Sequence, residues 1–233
     1  MTEPACPVCH STRFGDYRGR RLVRCAGCGS KERTRFMYCV LRDLAPPPNG
    51  LPVVHCAPEH AITALLTQKY GDDYQPADYD PSFYPWVERP VRQIDLTRPL
   101  DYFEKESVQG FVHSHVLEHI PSDLHRTIKD MNAAIAPGGF HTFCVPFFSN
   151  YYREDMDLSM PHLERERLFG QHDHVRSFGT LDAERRLLSL FDGFDHVDMA
   201  ETYTPDKLAA HAIPPNAATS MTADTIFHFV KRH

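Results

Sequence analysis

The sequence predicts an α/β fold: a doubly wound, mostly parallel sheet behind a small cysteine-rich head. Two observations carry this. From residue 51 onward, short apolar runs of strand length alternate with amphipathic stretches, the pattern of repeated βα units. Ahead of them stand two Cys-x-x-Cys pairs and one helical stretch, closed off by Ala45-Pro46-Pro47-Pro48-Asn49-Gly50. Three successive prolines cannot continue a helix, so a boundary falls there. The predicted division is residues 1–44, a ribbon plus linking helix, and residues 51–233, a single α/β domain.

In the head, Cys6-Pro-Val-Cys9 and Cys25-Ala-Gly-Cys28 are separated by 15 residues. A Cys-x-x-Cys pair on a tight knuckle brings two thiolates to one ion. Two knuckles complete the closed tetrahedral site of structural zinc. Cys6, Cys9, Cys25 and Cys28 are therefore the expected metal ligands, with a pair of redox dithiols as the alternative. Gly27 and Gly29 suit the second knuckle, and Phe14 to Val23 reads as a short hairpin. His10 is a bystander. Lys31 to Leu44 has helical spacing, with Phe36, Met37, Val40, Leu41 and Leu44 on one stripe and Arg33, Arg35 and Arg42 off it.

In the body, Val53 to Cys56 is the first strand. Pro58 to Lys69 is a helix, with proline in its first turn and Gly71 closing it. Strands follow at Tyr74 to Tyr79, Val91 to Leu96 and Gly110 to Ser114. Ser122 is the expected N-cap of a helix carrying Leu124, Ile128, Met131 and Ile135. Pro137-Gly138-Gly139 breaks it, and Phe140 to Phe147 is the fifth strand. Thr180 to Phe191 reads as another helix, and Phe194 to Met199 and Thr225 to Val230 as late strands.

Composition narrows the function. A chain of 233 residues with 42% hydrophobic residues is long and apolar enough for one globular domain with an appendage, and too apolar for disorder. No run of about 18 apolar residues occurs, so no membrane helix or membrane partner is expected. The start, MTEPACPVCH, lacks the charged and apolar regions of a signal peptide, which makes a cytoplasmic setting the expectation. Seven cysteines, odd in number and unevenly placed, do not form a disulfide framework. Residues 1–43 hold nine Lys and Arg against four Asp and Glu, whereas the remainder holds 16 against 27. A uniformly basic nucleic-acid binder is excluded, while a basic head leaves nucleic acid as the lesser alternative partner.

The order of three motifs resembles the class I S-adenosylmethionine-dependent methyltransferases, over roughly residues 51–233. Phe111-Val112-His113-Ser114-His115-Val116-Leu117-Glu118-His119-Ile120 resembles their fourth-strand motif ending in Leu-Glu-His. Ala136-Pro137-Gly138-Gly139 resembles the turn before their fifth strand, and Asp78 sits where they place a ribose-binding acid. A narrower resemblance joins Cys25 to Arg33, Val53 to Glu59 and Phe169 to Arg176 to a methyltransferase type 11-like bacterial subgroup with a zinc-ribbon head. These likenesses imply a Rossmann-like, doubly wound seven-stranded methyltransferase sheet and S-adenosylmethionine as cofactor. The chain departs from the family in its first loop, where His55-Cys56-Ala57-Pro58-Glu59 replaces an acidic-x-Gly-x-Gly turn.

The resemblance also implies roles. Ala57, Pro58 and Glu59 border the cofactor's amino-acid end, with Glu59 receiving its ammonium group. Asp78 accepts from the ribose hydroxyls, unless Asp80 does so or both open a polar loop. Asp95 accepts from the adenine amino group or caps a turn. Ser114 and His115 lie nearest the sulfonium, and His119 caps the next turn. Gln171, His172, Asp173, His174 and Arg176 form a dense loop over the cofactor, or else a solvated one. Within it His174 is the candidate base, Asp173 its orienting partner, and Arg176 a two-pronged clamp on an acidic substrate group. The loop's own spacing offers no third ligand for a second metal. The expected activity is methyl transfer to an oxygen or nitrogen of a small molecule or sugar. The rivals are an RNA methyltransferase with the ribbon as RNA-binding head, and a non-catalytic or differently reacting S-adenosylmethionine-binding protein. The oligomeric state is left open.

Overall fold

The two Cys-x-x-Cys turns of the head close alike: the His10 amide donates to the Cys6 carbonyl (2.8 Å), and the Gly29 amide to the Cys25 carbonyl (2.9 Å). The hairpin between them pairs Phe14–Tyr17 (β1) with Arg20–Cys25 (β2), antiparallel, in a computed structural model that describes residues 3–233. In β2 only Val23 and Cys25 are buried, so the hairpin contributes almost no core of its own.

Glu32–Asp43 (α1) follows. Its stripe of Phe36, Met37, Val40 and Leu41 is wholly buried, in one cluster with Val53, Ile62, Leu66 and Phe140 of the body. The linking helix is thus packed as part of the body. Arg35, read from the sequence as lying off the buried stripe, is also fully buried. Its Nη1 donates to the carbonyls of Val23 (2.9 Å) and Ser30 (2.8 Å), Nε to His211 (3.1 Å), and Nη2 to Ala212. A guanidinium has five donors in a fixed fork and can hold that many acceptors at once. Arg35 therefore ties ribbon, helix and C-terminal segment together, and helical periodicity alone did not show it.

The body runs Val53–Cys56 (β3), His60–Tyr70 (α2), Tyr74–Asp78 (β4), Arg92–Gln93 (β5), Val108–Ser114 (β6), Leu124–Ala134 (α3) and Ile135–Cys144 (β7). Then come Phe147–Ser149 (β8), Arg153–Glu154 (β9), His162–Phe169 (α4), Arg176–Gly179 (β10), Ala183–Arg186 (α5), Phe194–His196 (β11), Met199–Thr202 (α6), Pro205–Ala210 (α7) and Phe227–Lys231 (β12). Seven strands form the central sheet in the order β11-β12-β7-β6-β3-β4-β5. β3 to β7 are parallel, and β12 is antiparallel to both its neighbours. β3 and β6 are buried at every position, as strands covered on both faces must be. Alternate residues feed two cores. Val54, Phe111 and Phe143 face one with Ile128 and Met131, while Val53, Val112 and Phe140 face the other with α1 and α2. β8, β9 and β10 form a separate small sheet beyond the C-terminal end of β7.

Several abundant histidines belong to this core. The His141 Nδ1 donates to the Asn132 Oδ1 (2.9 Å), so its Nε2 accepts from His113 Nε2 (2.9 Å). Burial pushes His113 down to about 3, and His55 likewise with help from His113. These rings are neutral at physiological pH.

Four expected elements differ. Asp123, not Ser122, caps α3, accepting from the Arg126 amide (2.9 Å), while the Ser122 hydroxyl pairs with Thr127 (2.6 Å). Pro137-Gly138-Gly139 is a bulge within β7, which begins at Ile135; a Cβ on Gly139 would collide with the Gln109 carbonyl. The third strand shrinks to β5, two residues beside Pro90 at the sheet edge. The helix expected over 180–191 is one turn (α5) and a 3-10 turn at Leu188–Leu190. Leu187, Leu188 and Phe191 are still buried in the core, with Leu190 packed against them.

Candidate functional site

Doubly wound sheets bind ligands beyond the carboxyl ends of their strands, where the strand order reverses. Here that point lies between β3 and β6, and a cavity of about 710 Å³ opens there. Its walls include Cys56 and Ala57 after β3, Asp78 to Asp80 after β4, Asp95 after β5, His115 and His119 after β6, and Asp173. Ala57 (φ 53°) and His115 (φ 55°), which follow the two adjacent central strands, both adopt the left-handed conformation that residues with a side chain avoid. Such strain collects at ligand sites, where surrounding structure holds it in place. Ala57 thus takes up the conformation a glycine would supply.

Asp78 ends β4 at the cavity. Its Oδ1 accepts from the Asp80 amide (2.9 Å) and its Oδ2 from the Tyr84 hydroxyl (2.8 Å), so both oxygens are fixed in direction. Asp80 itself caps the next turn, accepting from the Ser82 amide (3.0 Å). Asp95 lines the cavity and also holds its own turn, accepting from the Thr97 amide (2.9 Å). Pro58 and Glu59 lie off the cavity wall. One Glu59 oxygen accepts from Arg33 Nη2 (3.3 Å), and the other is buried with no partner.

Ser114, expected beside the sulfonium, does not line the cavity. Its hydroxyl accepts from Arg33 Nε (3.1 Å) and from the Cys144 thiol (3.3 Å). Arg33, which sequence reading placed merely off the apolar stripe of α1, thus reaches from the head's helix to the ends of β3 and β6. The only signal for it was its place in the Cys28-Gly29-Ser30-x-Glu32-Arg33 run.

The Gln171 to Arg176 loop divides. Asp173 stands on the cavity wall. Arg176 is a correction: it is fully buried, and Nη1 and Nη2 donate to the carbonyls of Leu117 (2.5 Å) and Ser122. Both prongs are engaged by backbone, which leaves no clamp for a substrate. His172 is exposed near Glu166. His174 lies behind the wall, 2% exposed, its Nδ1 donating to the Phe169 carbonyl (2.8 Å). A carbonyl accepts only, so the neutral ring carries its proton on Nδ1, and its Nε2 is buried without a partner. Burial lowers its basicity. The imidazoles on the cavity wall are His115 and His119; His119 packs edge-on against His174 at 4.6 Å and lies 3.3 Å from the Asp173 carboxylate.

Within 4.8 Å of nitrogens of both His119 and His174 is a carboxylate oxygen of Glu118, which is fully buried with neither oxygen hydrogen-bonded. Burial pushes it up to about 8, against the pull of Arg33 and Arg176. His115 is 3.6 Å away; burial, then Arg33, push it down to about 3. Sequence reading assigned Glu118 no chemistry beyond its place in the Leu-Glu-His motif.

In the head, the sulfurs of Cys6, Cys9, Cys25 and Cys28 all lie within 4.8 Å of one another, with Cys6–Cys28 at 3.6 Å and Cys9–Cys25 at 3.5 Å. Four thiolates about 2.3 Å from a tetrahedral zinc would stand about 3.8 Å apart. A Cβ on Gly27 would meet the Cys9 sulfur at 2.8 Å, so this knuckle closes only with glycine. His10 is not among the clustered groups.

No protein-family profile and no curated protein matches the chain. Solved structures match its fold. An S-adenosylmethionine-dependent methyltransferase from Mesorhizobium loti is 14% identical with a TM-score of 0.53, over 84% of this chain and 96% of that one. A methyltransferase from Archaeoglobus fulgidus is 12% identical with a TM-score of 0.52, over 88% and 95%. The Burkholderia thailandensis 1,6-didemethyltoxoflavin-N1-methyltransferase, bound to its substrate and S-adenosylhomocysteine, is 13% identical with a TM-score of 0.50, over 87% and 79%. The chain has the Rossmann-like fold of the class I S-adenosylmethionine-dependent methyltransferases. Among the described residues, no helix is long and apolar enough to cross a membrane.

Proposed function

We propose that the chain is a methyltransferase that binds S-adenosylmethionine in the cavity beyond β3, β4 and β6 and holds one structural zinc on its four head cysteines. The observation that carries this is the cavity at the reversal point of the sheet, flanked by left-handed Ala57 and His115 and faced by Asp78 and Asp95. Its size is that of a pocket for a drug-sized ligand. Asp78 would accept from the ribose hydroxyls, and its support by Asp80 and Tyr84 aims the carboxylate before the ligand arrives. Asp95 would accept from the adenine amino group. Ala57 would border the cofactor's amino-acid end, while Glu59, off the wall and paired with Arg33, braces that loop from behind. When bound, the cofactor supplies an electrophilic methyl group. The protein aligns the acceptor against the methyl donor and excludes water, with His119 and Asp173 on the wall that faces the acceptor. The acceptor we assign is an oxygen or nitrogen of a small molecule or sugar, because the body is acidic and the second wall of the cavity is a compact imidazole–carboxylate group.

Calorimetric titration with S-adenosylhomocysteine tests the reading. Wild type should bind. Asp78→Asn should weaken binding by roughly 10- to 150-fold, the worth of a charged hydrogen bond, with the melting temperature nearly unchanged. No heat of binding to wild type would overturn the reading.

A second reading has one observation in its favour. Arg13, Arg18, Arg20, Arg21 and Arg24 are all exposed on or beside the head hairpin, which suits an RNA acceptor. RNA binding that falls steeply with salt would favour it.

A further inference from the structure

One ligand atom from each of Glu118, His119 and His174 lies within 4.8 Å of the other two. The first two follow β6, and the third comes from the loop before β10. Two of the three are buried and lack the partners such groups require. Glu118 is fully buried with both oxygens unpartnered, and the Nε2 of His174 is buried and unpartnered as well. Buried polar groups in native proteins are almost always satisfied, and an orphaned set that converges on one point asks for a common partner.

The surroundings identify that partner as a cation. His174 donates its Nδ1 proton to the Phe169 carbonyl (2.8 Å), which leaves Nε2 as a lone pair. The Nδ1 of His119 faces the Asp173 carboxylate at 3.3 Å, which leaves its Nε2. Imidazoles that ligate metals are oriented in this way, by a carbonyl or carboxylate on the other nitrogen. Nearby positive charges have their own counterions: Arg33 is 3.3 Å from Glu59, and Arg176 is 3.7 Å from Glu154. Neither arginine is within ion-pair distance of Glu118, so an ion there would take its carboxylate by displacing the carboxyl proton. Two imidazoles and one carboxylate suit a divalent first-row transition metal, and three protein ligands leave coordination positions open.

We infer that Glu118, His119 and His174 bind one divalent transition-metal ion in the wall of the cavity, with Asp173 positioning His119. The site is distinct from the head cluster. Its role rests on the methyl-transfer reading: an acceptor oxygen or nitrogen on an open coordination position would be held against the methyl donor. The binding itself does not rest on that reading.

Zinc is the probe. The full chain is equilibrated with excess Zn²⁺, dialysed and analysed for zinc, with no cofactor or acceptor present. Wild type should hold two zinc per chain. His119→Ala and Glu118→Gln should each hold one. His119 is partly exposed and Gln keeps the shape of Glu, and circular dichroism and a cooperative melt verify that both variants fold. One zinc per chain in wild type, or two in both folded variants, overturns the inference. Calorimetry with S-adenosylhomocysteine on the same samples separates the two readings. Binding of that ligand by a one-zinc wild type sinks the metal site alone; two zinc without ligand binding sinks the cofactor reading alone.

Discussion

The head gathers Cys6, Cys9, Cys25 and Cys28 from two short turns, whereas the body gathers Glu118 and His119 from one loop and His174 from another, 55 residues beyond His119. In the head, each ligand pair is fixed by a single backbone turn, and the surrounding hairpin is mostly exposed. Among the described residues, none before Phe36 belongs to either apolar core, so little apolar packing is left to hold the two knuckles once an ion is removed. In the body, the ligands sit on loops anchored by a seven-stranded sheet and two cores. They would keep their places with or without an ion. One cluster therefore makes its local structure with the metal, and the other lends a finished structure to it. The difference predicts a wide gap in what metal loss does to each.

The largest effect should come from the head. Cys6→Ser leaves three thiolates around the ion and should remove the head zinc. Binding free energy at a structural zinc site is folding free energy, about 10–16 kcal/mol in zinc-finger peptides. Zinc content should fall by one per chain, and the melt should lose cooperativity or shift by tens of degrees. Metal analysis with thermal unfolding decides. A Cys6→Ser protein with unchanged zinc and an unchanged melt would break the comparison, since the head would then be self-supporting.

A middle-sized effect should come from Arg35, which couples the regions. Its guanidinium holds carbonyls of the ribbon (Val23, Ser30) and of the C-terminal segment (His211, Ala212). Arg35→Met keeps the apolar length and deletes all four contacts, leaving buried acceptors unmet at about 1–3 kcal/mol each where water cannot enter. We expect a loss of about 3 kcal/mol or more in denaturant unfolding, with zinc still bound. A loss under about 0.5 kcal/mol would mean that water replaces the contacts and that head and body are joined mainly by the apolar face of α1.

The same contrast explains what could be read from the sequence. The cysteine quartet was legible because its spacing is local. The sheet was legible because βα alternation repeats, and β3, β4 and β6 fall within about two residues of their expected places. Asp78 and Asp95 were legible as residues ending strands, and both reach the cavity. What escaped depends on tertiary position. Arg33 and Arg35 both look like exposed helix arginines, and only the docking of α1 sends one to the strand ends and the other into the core. His174 and Arg176 look like a chemical loop, yet each is engaged by backbone carbonyls. Glu118 looks like one acid in a loop, and only burial among His115, His119 and His174 distinguishes it. Spacing tells which residues are neighbours along a turn; it does not tell which of two turns will face each other across a sheet.

The smallest effect should come from Asp173, and it gives the finest test of the contrast. The head cysteines have no imidazole to orient, so that region has no counterpart to an Asp–His contact. In the body, the Asp173 carboxylate lies 3.3 Å from His119 Nδ1 and is half exposed. Asp173→Asn keeps an acceptor oxygen there but removes the charge that makes the ring a better ligand. Losing such a partner costs about 10- to 100-fold in metal affinity, and exposure places this one near the low end, about 1.4 kcal/mol. Stability should move by less than about 0.5 kcal/mol, since an exposed loop carboxylate carries little. Zinc competition with a chromophoric chelator resolves the two sites. The tight head site should be unchanged, and the weaker site should drop about tenfold. An unchanged weaker site would show that His119 is held by packing against His174 rather than by Asp173. A loss far above a hundredfold would make Asp173 a ligand in its own right, and the body's trio a quartet to set beside the four cysteines of the head.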